Sequence, residues 1–163
     1  MLLGHRCCRL MPYLVDGNNV MAQGAEWRQD KVKARRCLIQ ELAQFVAAHR
    51  VKLKVVFDGA PDDRFPEDTR FKGVHIFYSK PGSSADDRIM DLVRKSSHKR
   101  DLIVVTSDKP LGSYANRHGA RVIQSRAFRQ MLDEAGQAQQ GKPSENQPVN
   151  LDEWLDYFGG SDT

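Results

Sequence analysis

The sequence predicts an α/β domain: a mainly parallel five-stranded sheet with helices on both faces, forming a three-layer sandwich. Three observations predict it. Short apolar runs of strand length alternate with segments whose apolar residues recur at helical spacing, the pattern of parallel strands joined by crossover helices. Three of the five runs end on or beside a carboxylate, at Asp16, Asp58 and Asp108, as expected where the carboxyl ends of parallel strands line a ligand crevice. The chain has 163 residues, 40% of them hydrophobic and 28% charged, enough for one globular domain to bury a core without disulfide or metal staples.

Each element follows in order. Residues 13–16 (YLVD) are the first strand. Between about Asp30 and Arg50, Val32, Leu38, Ile39, Leu42, Phe45 and Val46 fall at helical spacing. KLKVVF (52–57) is the second strand and stops at Asp58-Gly59. The segment APDDRFPEDTRFKG, with two prolines and mixed charge, reads as a loop. GVHIFYS (73–79) is the third strand, and KPGSS turns into a helix over SADDRIMDLVRKSSH (84–98), with Ile89, Leu92 and Val93 inward. DLIVVTSD (101–108) is the fourth strand. A short helix from Pro110 to His118 closes at Gly119, RVIQ (121–124) is the fifth strand, and SRAFRQMLDEA (125–135) is a last helix.

The domain therefore spans residues 11–135. Before it, MLLGHRCCRL (1–10) is too short and polar for a signal peptide and reads as an extension the fold does not need. After it, residues 136–149 carry no aromatic and almost nothing apolar, and read as a flexible linker. Leu151, Trp154, Leu155 and Phe158 then fall at helical spacing, so residues 150–163 read as a helical tail that docks on this domain or on a partner.

Composition narrows the function. No apolar run approaches the ~20 residues of a membrane span. Cys7, Cys8 and Cys37 cannot all pair within one chain and match no zinc or CxxC spacing, which points to a reducing, cytoplasmic setting. A net charge of +4 permits a polyanionic partner without demanding one. Basic residues gather at Lys31, Lys33, Arg35 and Arg36, at Lys52 and Lys54, and around Arg94 to Arg100. Any one of these clusters is equally well a solvated surface. Motifs for dinucleotide binding, for a phosphate-binding P-loop and for a nucleophile elbow are all missing. A receiver domain would want an acidic pair after the first strand and a lysine after the fifth. This chain has asparagines and Gln124-Ser125 there.

The acids carry the sharper signal. If the predicted strands run in the order 3-2-1-4-5, Asp16 and Asp108 face one crevice across the reversal of strand order. Asp58 lies one strand away, and the start of the helix after the third strand brings in Asp86. Each has a bland explanation alone. Asp16 and Asp58 suit turns, and Asp86 and Asp87 behind Ser83 and Ser84 suit a helix cap. Asp108 at the mouth of an apolar strand is costlier to explain that way. Four converging acids repel, and a hard divalent cation such as Mg²⁺ or Mn²⁺ relieves the repulsion through oxygen ligands.

VDGNNV, VVFDG, SADDRI and VVTSD, in that order and spacing, resemble the NYN-domain nucleases, and among them the YacP-like group of PIN-related ribonucleases. The resemblance covers about residues 12–135. It implies a PIN-like, Rossmann-like fold and a Mg²⁺- or Mn²⁺-dependent endoribonuclease acting on RNA, free or presented by the ribosome or another RNA-bearing assembly. On it, the catalytic acids are Asp16, Asp86 and Asp108, with Asp87 and Asp58 as further metal-binding positions. Asn18, Asn19 and Ser107 are then expected to orient ligand or water, and Lys80 and Arg88 to contact the RNA backbone; Tyr78 or Phe77 is a weaker candidate for stacking a base, because alternation along the strand makes at least one of them core. Asn18 stands where an aromatic residue often follows the glycine, a departure that bears on substrate choice rather than on the acids. The rival readings are an RNA-binding module without catalysis, and a metal-dependent phosphatase or DNA nuclease. Oligomeric state is not legible.

Overall fold

A computed structural model describes residues 11–24 and 28–141. The strands are β1 (Pro12–Asp16), β2 (Lys52–Phe57), β3 (Thr69–Phe71), β4 (Val74–Tyr78), β5 (Ile103–Val105) and β6 (Arg121–Ile123). The α-helices are α1 (Gly17–Met21), α2 (Lys31–His49), α3 (Ala85–Lys95), α4 (Lys109–Arg117) and α5 (Ser125–Gly141), with a 3₁₀ turn at Lys99–Asp101. The sheet runs β3-β4-β2-β1-β5-β6. All neighbours are parallel except β3 and β4. The five expected strands thus stand in the expected order, and a sixth, β3, is added at one edge.

β3 comes from the segment read as a loop. It pairs Thr69, Arg70 and Phe71 with Ile76, His75 and Val74 through the two-residue turn Lys72-Gly73, whose φ values of 49° and 89° are both positive, as a hairpin turn matched to strand twist requires. A side chain at position 73 would stand 2.8 Å from Val46 Cγ1, so glycine is needed there for space as well. Three residues between prolines and charges are too few for a periodicity to show.

Alternation along the strands divides the core. Tyr13, Val15, Leu53 and Val55 pack with α1, α2 and α5 on one face, where Phe45 and Phe128 meet Tyr13 edge-on and tilted. Leu14, Val56 and Val104 pack with Ile89, Val93 and Leu111 of α3 and α4 on the other. The result is the three-layer sandwich. Arg129 of α5 also pairs with Glu41 of α2, joining the two helices above their apolar contact.

Boundaries differ from expectation in three places. α3 stops at Lys95, three residues early, and β5 keeps only Ile103–Val105 of the longer run. α5 continues to Gly141, so residues 136–141, expected in a flexible linker, are helical. Alanine and glutamine in that stretch are good helix formers. Residues 1–10 and the predicted tail lie outside the described residues.

Candidate active site

β1 is flanked by β2 on one side and β5 on the other, and their carboxyl ends define the crevice where strand order reverses. Asp16 is the last residue of β1 and is 4% exposed. The chain enters α1 at once rather than turning. The reason for Gly17 is therefore space and not a left-handed backbone: a Cβ there would stand 2.5 Å from the Phe57 ring and 3.0 Å from the Val56 carbonyl. Only a glycine lets α1 begin flush against β2 and leaves Asp16 at the rim.

The two asparagines fix the neighbouring loops. Asn18 Oδ1 accepts the Asp58 backbone N–H at 2.8 Å. Asn19 Oδ1 accepts the Ser107 N–H at 3.0 Å and the Ser125 hydroxyl at 2.5 Å. Because the partners are donors, the amide oxygens must face them, and each Nδ2 is turned the other way. Ser107 is absorbed in the same network, its Oγ accepting the Ser125 N–H at 3.0 Å.

Thr106 joins two acids and was not singled out in the sequence. Its hydroxyl donates to Asp16 Oδ2 at 3.1 Å and accepts the Asp108 backbone N–H at 3.1 Å. Asp108 caps α4, its Oδ2 accepting the Leu111 N–H at 3.1 Å. The signal available was position: a small hydroxyl between an apolar strand and its terminal acid. A rigid link from Asp16 to Asp108 follows.

Asp16, Asp58, Asp86 and Asp108 line one crevice of about 270 Å³ together with Asn18 and Asn19. None of these four carboxylates has a cationic partner among the described residues. Burial pushes the Asp16 carboxyl up to about 6, opposed by the Thr106 hydrogen bond and reinforced by the charges of Asp86 and Asp108. Burial also raises Asp86, with Asp108, Asp87 and Asp58 adding to the effect. Asp87 lies outside the crevice. It completes the α3 cap, its N–H donating to Ser84 Oγ and its carboxylate accepting from Ser83 Oγ, both at 3.1 Å.

The donor set fits a hard cation, being carboxylate oxygen from Asp16, Asp58, Asp86 and Asp108. As the side chains stand, no three acids, histidines or cysteines among the described residues are grouped closely enough to enclose an ion. The crevice is not a preformed cage. It suits an ion that keeps much of its water and takes one or two carboxylates directly, as Mg²⁺ does.

Residues 13–156 match the model of the YacP-like NYN domain. The chain belongs to the YacP-like NYN family, one of the PIN-related nuclease families. Its fold is similar to two crystal structures of Rae1 (YacP) from Bacillus subtilis. One, of a substitution variant, has a TM-score of 0.67 at 22% identity, covering 88% of this chain and 89% of that one. The other has a TM-score of 0.63 at 18% identity, covering 92% and 87%. No curated protein sequence matches. At these identities the likeness shows the fold.

Beside the acids, this NYN domain has a larger groove of about 780 Å³, which shares Asn18 and Asp58 with the crevice. Lys80 and Arg88 line it, but they differ in kind. Lys80 is exposed. Arg88 is a brace: it donates to the Tyr78 carbonyl at 3.0 Å and to Glu67 at 2.8 Å, and lies over the Phe77 ring. Phe77 is 7% and Tyr78 1% exposed, so both belong to the core and neither ring is open to stack a base. The basic residues also divide. Lys31 and Arg35 line the groove, whereas Arg94 and Lys95 stand at the far end of α3, about 15 Å along its axis from Ala85 at the crevice, and Lys99 and Arg100 follow in the 3₁₀ turn. No helix among the described residues is long and apolar enough to cross a membrane.

Proposed function

We propose that this NYN domain is a divalent-metal-dependent endoribonuclease that hydrolyses RNA phosphodiester bonds at the acidic crevice. One observation carries the reading: four carboxylates without cationic partners line a crevice at the strand-order reversal, one of them buried and raised to about 6. A fold does not accumulate that much uncompensated charge for stability. Asp16, Asp86 and Asp108 are the residues to hold Mg²⁺ or Mn²⁺, with Asp58 contributing directly or through water and Asp87 supporting Asp86 from the helix cap. The ion, when bound, supplies an acidified water and stabilises charge on the attacked phosphate.

The chain's own groups do the rest. Thr106 holds Asp16 in one orientation through its hydroxyl. The Nδ2 groups of Asn18 and Asn19, turned away from their backbone partners, are donors that can orient a water or phosphate oxygen without adding charge. Lys80 and Lys31, along the adjoining groove, meet the phosphate backbone, so binding weakens as salt rises.

The test is cleavage of a labelled RNA with Mn²⁺ or Mg²⁺, with EDTA, and with Asp16→Asn. Metal-dependent cutting that EDTA and the variant abolish supports the reading. An Asp16→Asn protein that cuts at the wild-type rate sinks it, and binding without cutting in any metal would favour a non-catalytic module. Parallel DNA and small phosphoester substrates separate the remaining alternatives.

A further inference from the structure

We propose that the groove beside the acidic crevice is a nucleoside subsite that takes one unpaired nucleotide of the RNA next to the bond being cut, with the Arg35 guanidinium as its stacking platform. The inference rests on the nuclease reading for its substrate and on the groove for its content. The groove is continuous with the crevice through Asn18 and Asp58, so a chain whose phosphate lies at the acids has a neighbouring nucleoside within reach of it. At about 780 Å³ it falls within the roughly 300–1,000 Å³ that ligand pockets occupy.

Its lining has the chemistry of a base site and not merely of a backbone track. The Arg35 guanidinium lies over the Phe57 and Tyr78 rings, at 5.3 and 5.2 Å. Its edge donates to the carbonyls of Asp58 and Ala60 at 3.3 and 3.2 Å. That plane is held in advance, and guanidinium planes are among the surfaces on which unpaired bases stack. The buried Arg35 Nε has no acceptor among the described residues, a donor left over in an otherwise satisfied group. Pro61 and Pro81 add rigid apolar walls and Lys80 a cation at the rim. A paired base cannot leave its stack to enter such a groove without the loss of pairing, whereas a single strand can splay one out.

The experiment measures binding in EDTA, where cleavage does not intervene, with a labelled single-stranded octanucleotide and the same strand annealed to its complement. Ala60 is exposed, so Ala60→Trp narrows the groove while leaving its carbonyl in place, and Arg35→Ala removes the platform. Arg100→Ala, on the far edge, is the control. The expected result is at least tenfold weaker single-strand binding for Ala60→Trp and Arg35→Ala, less than threefold change for Arg100→Ala, and at least tenfold weaker binding of the duplex by wild type. Ala60→Trp binding as tightly as wild type, or equal affinity for duplex and single strand, overturns the subsite. With metal added, an abasic site stepped along the RNA should raise KM at one position flanking the cut. A uniform response to the abasic position also overturns it. Loss of binding in Ala60→Trp with no cleavage by wild type in any metal upholds the subsite and sinks the nuclease reading.

Discussion

Two neighbouring groups of acids behave in opposite ways. In residues 62–68, after β2, three acids have a basic partner: one is buried and two are exposed. Asp62, its side chain 2% exposed, takes two hydrogen bonds from Arg36 at 2.8 Å. Glu67 pairs with Arg88, and Asp68 with His75. A few residues away, Asp16, Asp58, Asp86 and Asp108 share a crevice and have no such partner among the described residues. Opposite pK directions follow. The Arg36 hydrogen bonds hold Asp62 below the usual carboxylate range, whereas burial lifts Asp16 to about 6. The buried Asp62 pair stabilises this fold, whereas the unpaired acids of the crevice cost it stability.

The largest effect should come from removing an unpaired acid. Asp16→Asn is expected to lower cleavage by more than about a hundredfold, the upper end of what losing even a supporting residue of a metal site costs. The same change should stabilise the metal-free protein at neutral pH. Asp16 binds its proton more tightly folded (about 6) than unfolded (3.8), so its contribution is fully present below pH 4 and lost as pH rises through 6. At ~1.4 kcal/mol per unit, the loss is on the order of 2–3 kcal/mol. Urea unfolding of wild type in EDTA should therefore show declining stability from pH 4 to 7 from this group, and Asp16→Asn should flatten that decline. A variant less stable than wild type at pH 7 would break the comparison.

Next in size is the opposite experiment on a paired acid. Asp62→Ala leaves Arg36 without its acceptor and the Arg64 N–H without its 2.8 Å partner. Breaking a well-buried pair costs about 3–5 kcal/mol, but the Arg36 side chain is 36% exposed, so about 1–3 kcal/mol is expected. Asp62 has the contrary sign: its contribution is present above the ordinary carboxylate range and lost as pH falls through its lowered pKa. Cleavage at a temperature where the variant is folded should stay within a few-fold of wild type. A hundredfold drop would show that the paired acids belong to the site after all.

Gly17→Ala tests the geometry that keeps Asp16 at the rim. The added methyl would meet the Phe57 ring at 2.5 Å, and overpacking of this kind costs roughly 1–3 kcal/mol. Activity should fall more than stability alone explains, because α1 carries Asn18 and Asn19 and must shift from β2.

What was legible in the sequence follows from the range of the forces involved. The strand order and the convergence of Asp16, Asp58, Asp86 and Asp108 could be read because hydrophobic periodicity and handed crossovers act over whole elements. β3 escaped because three residues and a Lys-Gly turn leave no period. The reason for glycine at position 17 could not be read, because its close approach to Phe57 depends on a strand forty positions away. For Asn18 and Asn19 the part that could not be read is structural: their oxygens hold Asp58, Ser107 and Ser125, pairings that no local pattern announces. Arg88 was expected on the RNA, but its partner Glu67 sits in a segment with no readable structure of its own.

Thr106→Val is the smallest change and the most discriminating. It keeps the shape of the side chain at a 2% exposed position and removes the hydroxyl that donates to Asp16 and accepts from the Asp108 N–H. The hydrogen bond to Asp16 lowers that acid's pKa, so without it the carboxyl is raised further above 6. Folding at pH 5 loses little, about 1 kcal/mol for the Asp108 N–H left without an acceptor. The gap in stability between pH 5 and pH 7.5 should widen relative to wild type, measured in EDTA. The acid limb of the cleavage profile should move to higher pH, since a carboxylate must lose its proton before it can bind a cation. An unmoved profile alongside the widened stability gap would mean that Asp16 is costly to the fold yet idle in the reaction, and the link drawn between unpaired acids and function would fail at the residue where it is strongest.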